Sequence, residues 1–83
     1  MAEVKIGMVS DYFAHVSVAG IALSGTLRVG DKIHIKGHTT DLEEVVESMQ
    51  IEHEQVQEAK AGTAVGIKVS DRCRHGDDVF KVT

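Results

Sequence analysis

The side chains best suited to chemistry lie close together near the C-terminal end, at Cys73, His75, Asp77 and Asp78. Thiolate, imidazole and carboxylate groups all bind zinc, and a cysteine beside a histidine can act as a nucleophile. Neighbours on one short turn do not supply the three or four converging ligands that zinc needs, and a catalytic cysteine usually takes its histidine from elsewhere in the fold. We therefore predict neither a metal site nor a catalytic pair here.

Other residue types that support catalysis are scattered along the chain. His15, His34, His38 and His53 stand singly among the predicted strands and turns, a placement typical of surface histidines that titrate near about pH 6.5. The serines lack a G-x-S-x-G context and have no evident base beside them in the sequence. The sequence therefore predicts a non-enzymatic chain with no catalytic residues.

Charged residues are segregated. Residues 41–58 contain many acids and no Lys or Arg, which we interpret as a solvated strand face and loop. The basic side chains that could converge on RNA phosphates or on a protein partner are Arg28, Lys32, Lys36, Lys68, Arg72 and Arg74. The alternative is ordinary solubilising charge that also protects strand edges, and the net charge of -4 lowers the expectation of nucleic-acid binding.

The composition, 42% hydrophobic and 27% charged over 83 residues, is typical of one soluble globular domain spanning residues 1–83. Aromatic residues are few, so we expect a core of Val, Ile, Leu and Met, to which Phe13 and Phe80 are also assigned. The single cysteine excludes an internal disulfide, and we find neither a signal peptide nor an apolar stretch of about 20 residues. We expect a cytoplasmic protein that does not bind membranes.

Apolar and polar residues alternate in the segments Val4–Met8, Ile33–Ile35 and Val65–Val69, which is the period of half-buried strands. We expect Val79–Val82 to form a short closing strand, and the apolar run Ala14–Leu23 to be covered on both faces or to bend across the core. Turns containing glycine separate these segments. Such a pattern is typical of a small all-β barrel or sandwich.

One segment, residues 39–60, is ambiguous. Its acids favour helices, and its apolar residues recur at helical spacing, at Leu42, Val45, Val46 and Met49. As a strand, the segment needs a bulge near Val45 and Val46 to bring Val46 and Met49 to the same face. Local propensity alone favours the helix.

Several motifs together resemble the second, β-barrel domain of translational GTPases. The most specific is Leu27–Gly37, which reads L-R-V-G-D-K-I-H-I-K-G, and it is accompanied by Gly7-Met8-Val9, Tyr12-Phe13, Val16–Ala19, Val46–Gln50, Ala59–Gly62, Val65-Gly66-Ile67 and Gly76-Asp77. The Tyr-Phe pair, Thr39–Asp41 and the S-M-Q run are more similar still to stand-alone elongation-factor-like proteins and to the small barrel that ends some collagenase-like peptidases. The resemblance implies a closed six- or seven-stranded Greek-key barrel, with strand between Leu42 and Ile51.

The chain also departs from that family. Translational GTPases hold phosphate with G-x-x-x-x-G-K-[ST], whereas the nearest run here, Gly20–Gly25, continues with Thr26 and Leu27. We therefore predict no GTP binding and no cofactor. In elongation factors a V-E-M run lines the pocket for the terminal adenosine of aminoacyl-tRNA, and the partial match at Val46–Met49 adds Glu47 to the candidate binding residues.

These observations lead to two hypotheses. The first is a non-catalytic, translation-associated binding module whose partner is tRNA, rRNA or a ribosome-associated protein. The alternative is a protein–protein module that acts in trans with a peptidase-like or other enzyme partner. An affinity that falls steeply with salt would favour RNA, whereas salt-insensitive recovery of one protein would favour the alternative. The sequence does not determine the oligomeric state.

Overall fold

The computed structural model describes residues 2–83, and every regular element in them is a β-strand. The strands are β1 (Glu3–Phe13), β2 (Val18–Leu23), β3 (Leu27–Arg28), β4 (Lys32–Lys36), β5 (Asp41–Val45), β6 (Met49–Ile51), β7 (Glu54–Val56), β8 (Glu58–Ala59), β9 (Ala64–Lys68) and β10 (Asp78–Val82). The predicted all-β class is confirmed. A search of these residues for helices long and apolar enough to span a membrane finds none.

Eight strands form one sheet in the order β5-β4-β10-β1-β2-β9-β6-β7, and β3 pairs with β8 in a separate two-stranded ribbon. The long strand β1 organises the sheet, because it pairs antiparallel with β10 on one side and with β2 on the other. In the described chain this ladder ends at β5 and at β7. The closed six- or seven-stranded barrel is therefore not confirmed by the backbone hydrogen bonds.

The stretch from Leu42 to Ile51 is extended, as the resemblance predicts, but it lies in two strands, β5 and β6, in place of one. Residues 46–48 separate them, and there the Val46 amide donates to the Asp31 carbonyl while the Val46 carbonyl accepts from the Gly30 amide, both at 2.8 Å. The break between β5 and β6 has the effect expected of the predicted bulge, because Val46 and Met49 are both buried. Long-range pairing outweighs the local helix propensity.

Strand β1 contains two irregularities that the alternation did not predict. Its register shifts between Lys5 and Gly7 against β10, and between Val9 and Asp11 against β2. Each such shift changes which face the following side chains occupy. The expected inward row of Val4, Ile6 and Met8 is consequently wrong: Ile6 and Val9 are buried, whereas Val4 is 53% and Met8 42% exposed.

The apolar run Ala14–Leu23 is not covered on both faces. Its first residues form the turn between β1 and β2, and only Val18–Leu23 is a strand. Within β2 the buried residues are Ala19, Ile21 and Leu23, in strict alternation. The run therefore combines an exposed apolar turn with an ordinary half-buried strand.

The buried hydrophobic residues form one cluster dominated by Ile, Val and Leu, as expected. Ile21, Leu27, Ile33, Ile35 and Met49 are its largest fully buried members. The prediction that Phe13 lies in the core is wrong, because Phe13 is 46% exposed in the last position of β1. Phe80 is half-buried, with its ring centroid 6.4 Å from that of His34.

Candidate functional site

The first two basic candidates are placed beside carboxylates. Nη2 of Arg28 lies 3.4 Å from Oε1 of Glu58, in the β3–β8 ribbon, and Nζ of Lys32 lies 3.3 Å from Oε2 of Glu43. These side chains are well exposed, so each pair contributes only about 0 to 1 kcal/mol to stability. The pairs matter more for the surface potential than for stability. Each acid offsets the positive charge of the Arg or Lys beside it.

The remaining basic candidates lie in two regions. Lys36 pairs in register with Asp41 of β5 and with Asp78 of β10, at the same end of the molecule as Arg72 and Arg74. The two arginines line a cleft of about 370 Å³ that also contains Asp41 and Asp71. Lys68 belongs to β9 and pairs with Val18, and the exposed Glu47 lies between β5 and β6. The structure thus brings Arg72 and Arg74 together in one cleft, and it places Arg28 and Lys32 beside acids, whereas Lys68 and Glu47 lie apart from that cleft.

His34 is a buried polar side chain of the sheet, and both of its ring nitrogens lie close to carboxylates. It is 8% exposed, its Nδ1 lies 2.8 Å from Oε2 of Glu3, and its Nε2 lies 2.5 Å from Oδ1 of Asp41. Both ring nitrogens face carboxylates, which accept hydrogen bonds from a protonated ring, so the arrangement favours the imidazolium form. The hydrogen bonds to Asp41 and to Glu3 raise the pKa of His34, against the opposing effect of burial.

The expectation that His34 is a surface histidine with an ordinary pKa is therefore wrong. One local signal was available, because the outward face of β4 is Lys32, His34 and Lys36, and the short turn to β5 places Asp41 and Glu43 opposite it. The contact between His34 and Glu3 could not be predicted from the local sequence, because it depends on β10 lying between β4 and β1.

In the described part of the chain, Glu3, His34 and Glu43 are the group whose potential metal-ligand atoms come closest together, within 4.8 Å of one another. Both nitrogens of His34 already face carboxylates, and Nζ of Lys32 lies against Glu43. A divalent cation would have to displace a proton from the ring and the lysine from the carboxylate. The arrangement is that of a hydrogen-bonded ion network.

Cys73 is a core side chain. It is 2% exposed, and burial, with the nearby carboxylates of Asp77 and Glu44, raises the pKa of its thiol to about 11. The thiol is consequently protonated at neutral pH and is a poor nucleophile. Oδ2 of Asp77 accepts a hydrogen bond from the Arg74 amide at 2.8 Å, so this carboxylate closes the turn. His75 is exposed.

A groove of about 610 Å³ crosses the outer face of β1, β2, β9 and β6. Its floor contains Gly20 and Gly66, which pair with each other across β2 and β9, and its rim includes Phe13 and Val16, 46% and 49% exposed. We call this feature the glycine groove. It was missed from the sequence, although a glycine inside a strand such as β9 often marks a close approach of another group.

The comparisons with known proteins agree with this fold. Residues 16–72 match the family model described as elongation factor Tu domain 2. The C-terminal domain of a Geobacillus thermoleovorans protein described as a U32 peptidase superposes with a TM-score of 0.89 at 20% identity, covering 95% of this chain and 92% of that one. At this level of identity, the likeness concerns the fold alone.

Two curated relatives are larger proteins. An uncharacterized protease of Methanocaldococcus jannaschii is 47% identical over 79 residues, which cover 94% of this chain and 19% of the relative. A collagenase of Porphyromonas gingivalis is 31% identical over 81 residues, covering 95% of this chain and 20% of the relative. The chain thus spans about a fifth of the length of these relatives. Because the family model covers more than half of its residues, the chain belongs to the elongation factor Tu domain 2 family.

Proposed function

We propose that this chain is a non-catalytic protein-binding module that works with a peptidase-like protein. The observation that carries the proposal is that nearly the whole chain matches about a fifth of a protease and of a collagenase. We take a domain of this size within such proteins to be an accessory to the remaining four fifths of the chain. By this proposal residues 1–83 form one such domain, which acts in the cytoplasm without GTP, metal or cofactor.

The chemistry of the described residues supports a non-catalytic role. The Cys73 thiol is buried and protonated, His34 is held by two carboxylates, and Asp77 is engaged in a turn. A nucleophile needs a base within hydrogen-bond reach and an open space for substrate. These side chains instead stabilise the fold.

We also propose that the sheet closes as a barrel of the translation-factor type. Oε2 of Glu44, an inward-facing residue of the edge strand β5, accepts a hydrogen bond from the Ser70 amide at 3.1 Å. Ser70 follows β9 in the chain, so a side chain joins the two regions that the backbone ladder leaves apart. An inward charge on an edge strand also discourages pairing with another chain.

A second candidate is a translation-associated, stand-alone module that contacts tRNA, rRNA or a ribosome-associated protein. The match of residues 16–72 to elongation factor Tu domain 2 favours it, and so does the exposed pair Arg72 and Arg74. The ion pairs of Arg28 and Lys32 and the net charge of -4 weaken it. We therefore rank it below the protein-binding module.

Affinity purification of the tagged chain from its native host, with and without ribonuclease, separates the two functions. We expect a peptidase-family protein, identified by mass spectrometry, to be recovered equally in both samples and to remain bound at raised salt. Recovery of RNA or ribosomal proteins that ribonuclease abolishes would replace the proposal with the second candidate. Hydrolysis of gelatin or casein by the purified chain would contradict the non-catalytic assignment.

A further inference from the structure

The outer surface of the sheet has two halves of different character. On β5, β4, β10 and the start of β1, outward side chains are engaged with one another, as in Lys5 with Asp78 at 3.0 Å and Lys32 with Glu43 at 3.3 Å. The glycine groove occupies the other half, and none of its lining residues takes part in an ion pair of the described chain. Its charged groups are therefore available to a partner.

The floor of the glycine groove is exposed backbone. Gly20 pairs with Gly66, and Gly66 also pairs with Gln50 of β6. A methyl group added at Gly66 would lie 3.3 Å from Cγ1 of Val18, so even one carbon atom would begin to fill the space. The absence of side chains at these two positions lets an incoming chain approach the sheet closely.

The groove is apolar at one end, and its lining contains two acids together with His15 and His53. Phe13 and Val16 are exposed where β1 turns into β2, whereas Glu52 lies in the turn after β6 and Asp11 stands on β1 beside Gly20. Its lining contains no Lys or Arg. The nearest lysine by register, Lys68, pairs with Val18 at the apolar end. A ligand that suits the groove therefore has an apolar group at one end and a positive charge at the other.

We propose that the glycine groove binds an extended polypeptide segment carrying a large apolar side chain and a Lys or Arg two residues apart. This inference rests on the proposed protein-binding function and names the chemistry of its partner. Asp11 and Phe13 are themselves two residues apart on β1, and residues two apart in an extended segment point to the same side. The apolar side chain then packs on Phe13 and Val16, and the cation lies beside Asp11.

Other occupants fit the groove less well. Nucleic acid would bring phosphates against Asp11 and Glu52, which repel them. A second copy of this chain would bury the apolar rim, and this possibility is measurable by sedimentation of the purified chain. A dimer that Gly66→Val dissociates would overturn the proposal in favour of self-association.

The first test uses three capped synthetic peptides and the ¹⁵N-labelled chain. The peptide acetyl-Gly-Phe-Gly-Lys-Gly-amide is expected to shift the amide resonances of Gly20, Gly66 and Gln50. Peptides with Ala in place of Phe, or with Glu in place of Lys, are expected to bind at least about fivefold more weakly, because each lacks one of the two contacts. Equal binding of all three, shifts confined to other residues, or no shift at about 10 mM peptide would overturn the proposal.

The second test uses paired variants. Gly66→Val fills the floor and is expected to weaken the Phe-Lys peptide at least about fivefold. Its control, Ala22→Val, adds carbon atoms to an exposed position of β2 that does not line the groove. Asp11→Asn is expected to weaken binding about two- to fivefold, whereas Glu58→Gln, at an exposed acid of β8 that does not line the groove, is expected to leave it unchanged. Thermal unfolding of each variant shows that the sheet is intact.

The outcomes separate this inference from the proposed function. If the native host yields a peptidase-family partner and Gly66→Val retains it fully, the module binds protein through another surface, and the groove assignment is wrong. If the peptide binds the groove as expected but the host yields no protein partner, the proposed function fails while the groove chemistry stands.

Discussion

His34 shows how one residue can hold a charge inside a sheet face. The residue is 8% exposed, yet Glu3 and Asp41 each lie within hydrogen-bond distance of one of its ring nitrogens. The two carboxylates keep side-chain exposures of 38% and 76%, so water continues to solvate them. The imidazolium thus loses its own hydration and gains two charged acceptors in exchange.

The first prediction is that His34 makes stability depend on pH in one direction. Its folded pKa is raised above the ordinary value of 6.5, so its contribution is fully present below about pH 6.5 and is lost as the pH rises through the folded pKa. His34→Gln should therefore cost about 1 to 2 kcal/mol of unfolding free energy at about pH 5.5 and much less at high pH. Urea unfolding of both proteins across this range measures the difference.

His38→Gln provides the matched control, because His38 is exposed in the turn between β4 and β5. We expect its unfolding free energy to follow the unmodified chain at every pH. If His34→Gln instead cost more at high pH than at low pH, the ring would be neutral in the folded protein, and the two-carboxylate arrangement would need another explanation.

A second prediction at the residue scale concerns Cys73. Burial raises the pKa of its thiol from 9.0 to about 11, which lowers the thiolate fraction near neutral pH about a hundredfold. A thiol reagent should therefore label the folded chain at least about a hundredfold more slowly than the chain unfolded in urea. Equal rates in both states, followed by mass spectrometry with Cys73→Ala as a blank, would show that the thiol is accessible.

At the scale of the strand, β1 depends on a glycine. A Cβ atom at Gly7 would lie 2.7 Å from the Ala22 carbonyl oxygen and 2.9 Å from Cγ2 of Ile21. Gly7→Ala should consequently destabilise the chain by about 2 kcal/mol or more, because backbone must move. Gly20→Ala is the matched control, since its nearest neighbours would be 3.4 Å away, and we expect a cost under about 1 kcal/mol. Thermal or urea unfolding measures both, and equal costs would refute the close approach at Gly7.

The same strand shows what hydrophobic alternation predicts and what it does not. Alternation located β4 and β9, and both strands pair with their neighbours without a register shift. In β1 the register shift between Lys5 and Gly7 precedes Met8, which is exposed, and Val9, which is buried. Such shifts arise from pairing with β10 and β2, and the local sequence carries no mark of them. For β5 and β6, the family resemblance supplied the long-range information that the helix-like spacing lacked.

Across the whole molecule, pairing between distant strands determines which charges meet. The sheet order places β10 between β4 and β1, which brings Glu3 to His34 across 31 residues of sequence. In the separate ribbon, pairing of β3 with β8 likewise places Arg28 beside Glu58. The charged residues can be read from the sequence, but which of them form ion pairs depends on how the strands pair. The two different halves of the outer sheet surface, one with ion pairs and one with the glycine groove, could not be predicted either, because they also depend on strand pairing.

The last prediction concerns how the whole molecule responds to RNA, and it compares two variants that each remove two positive charges. Arg72→Gln with Arg74→Gln removes an exposed pair that lines one cleft, whereas Arg28→Gln with Lys32→Gln removes charges already offset by Glu58 and Glu43. Any affinity for a labelled RNA hairpin should come mainly from the first pair, because a cation beside a carboxylate displaces fewer counterions from phosphate.

Fluorescence anisotropy at several salt concentrations measures this. We expect the Arg72 and Arg74 variant to reduce the slope of log affinity against log salt by about 1.4 to 1.8, and the Arg28 and Lys32 variant by less than about 0.7. Because the two variants have the same net charge, a difference between them reports local charge and not the total. If the second variant abolished binding while the first left it unchanged, Arg28 and Lys32 would be the RNA contacts despite their ion pairs, and the translation-associated candidate would take precedence over the protein-binding module.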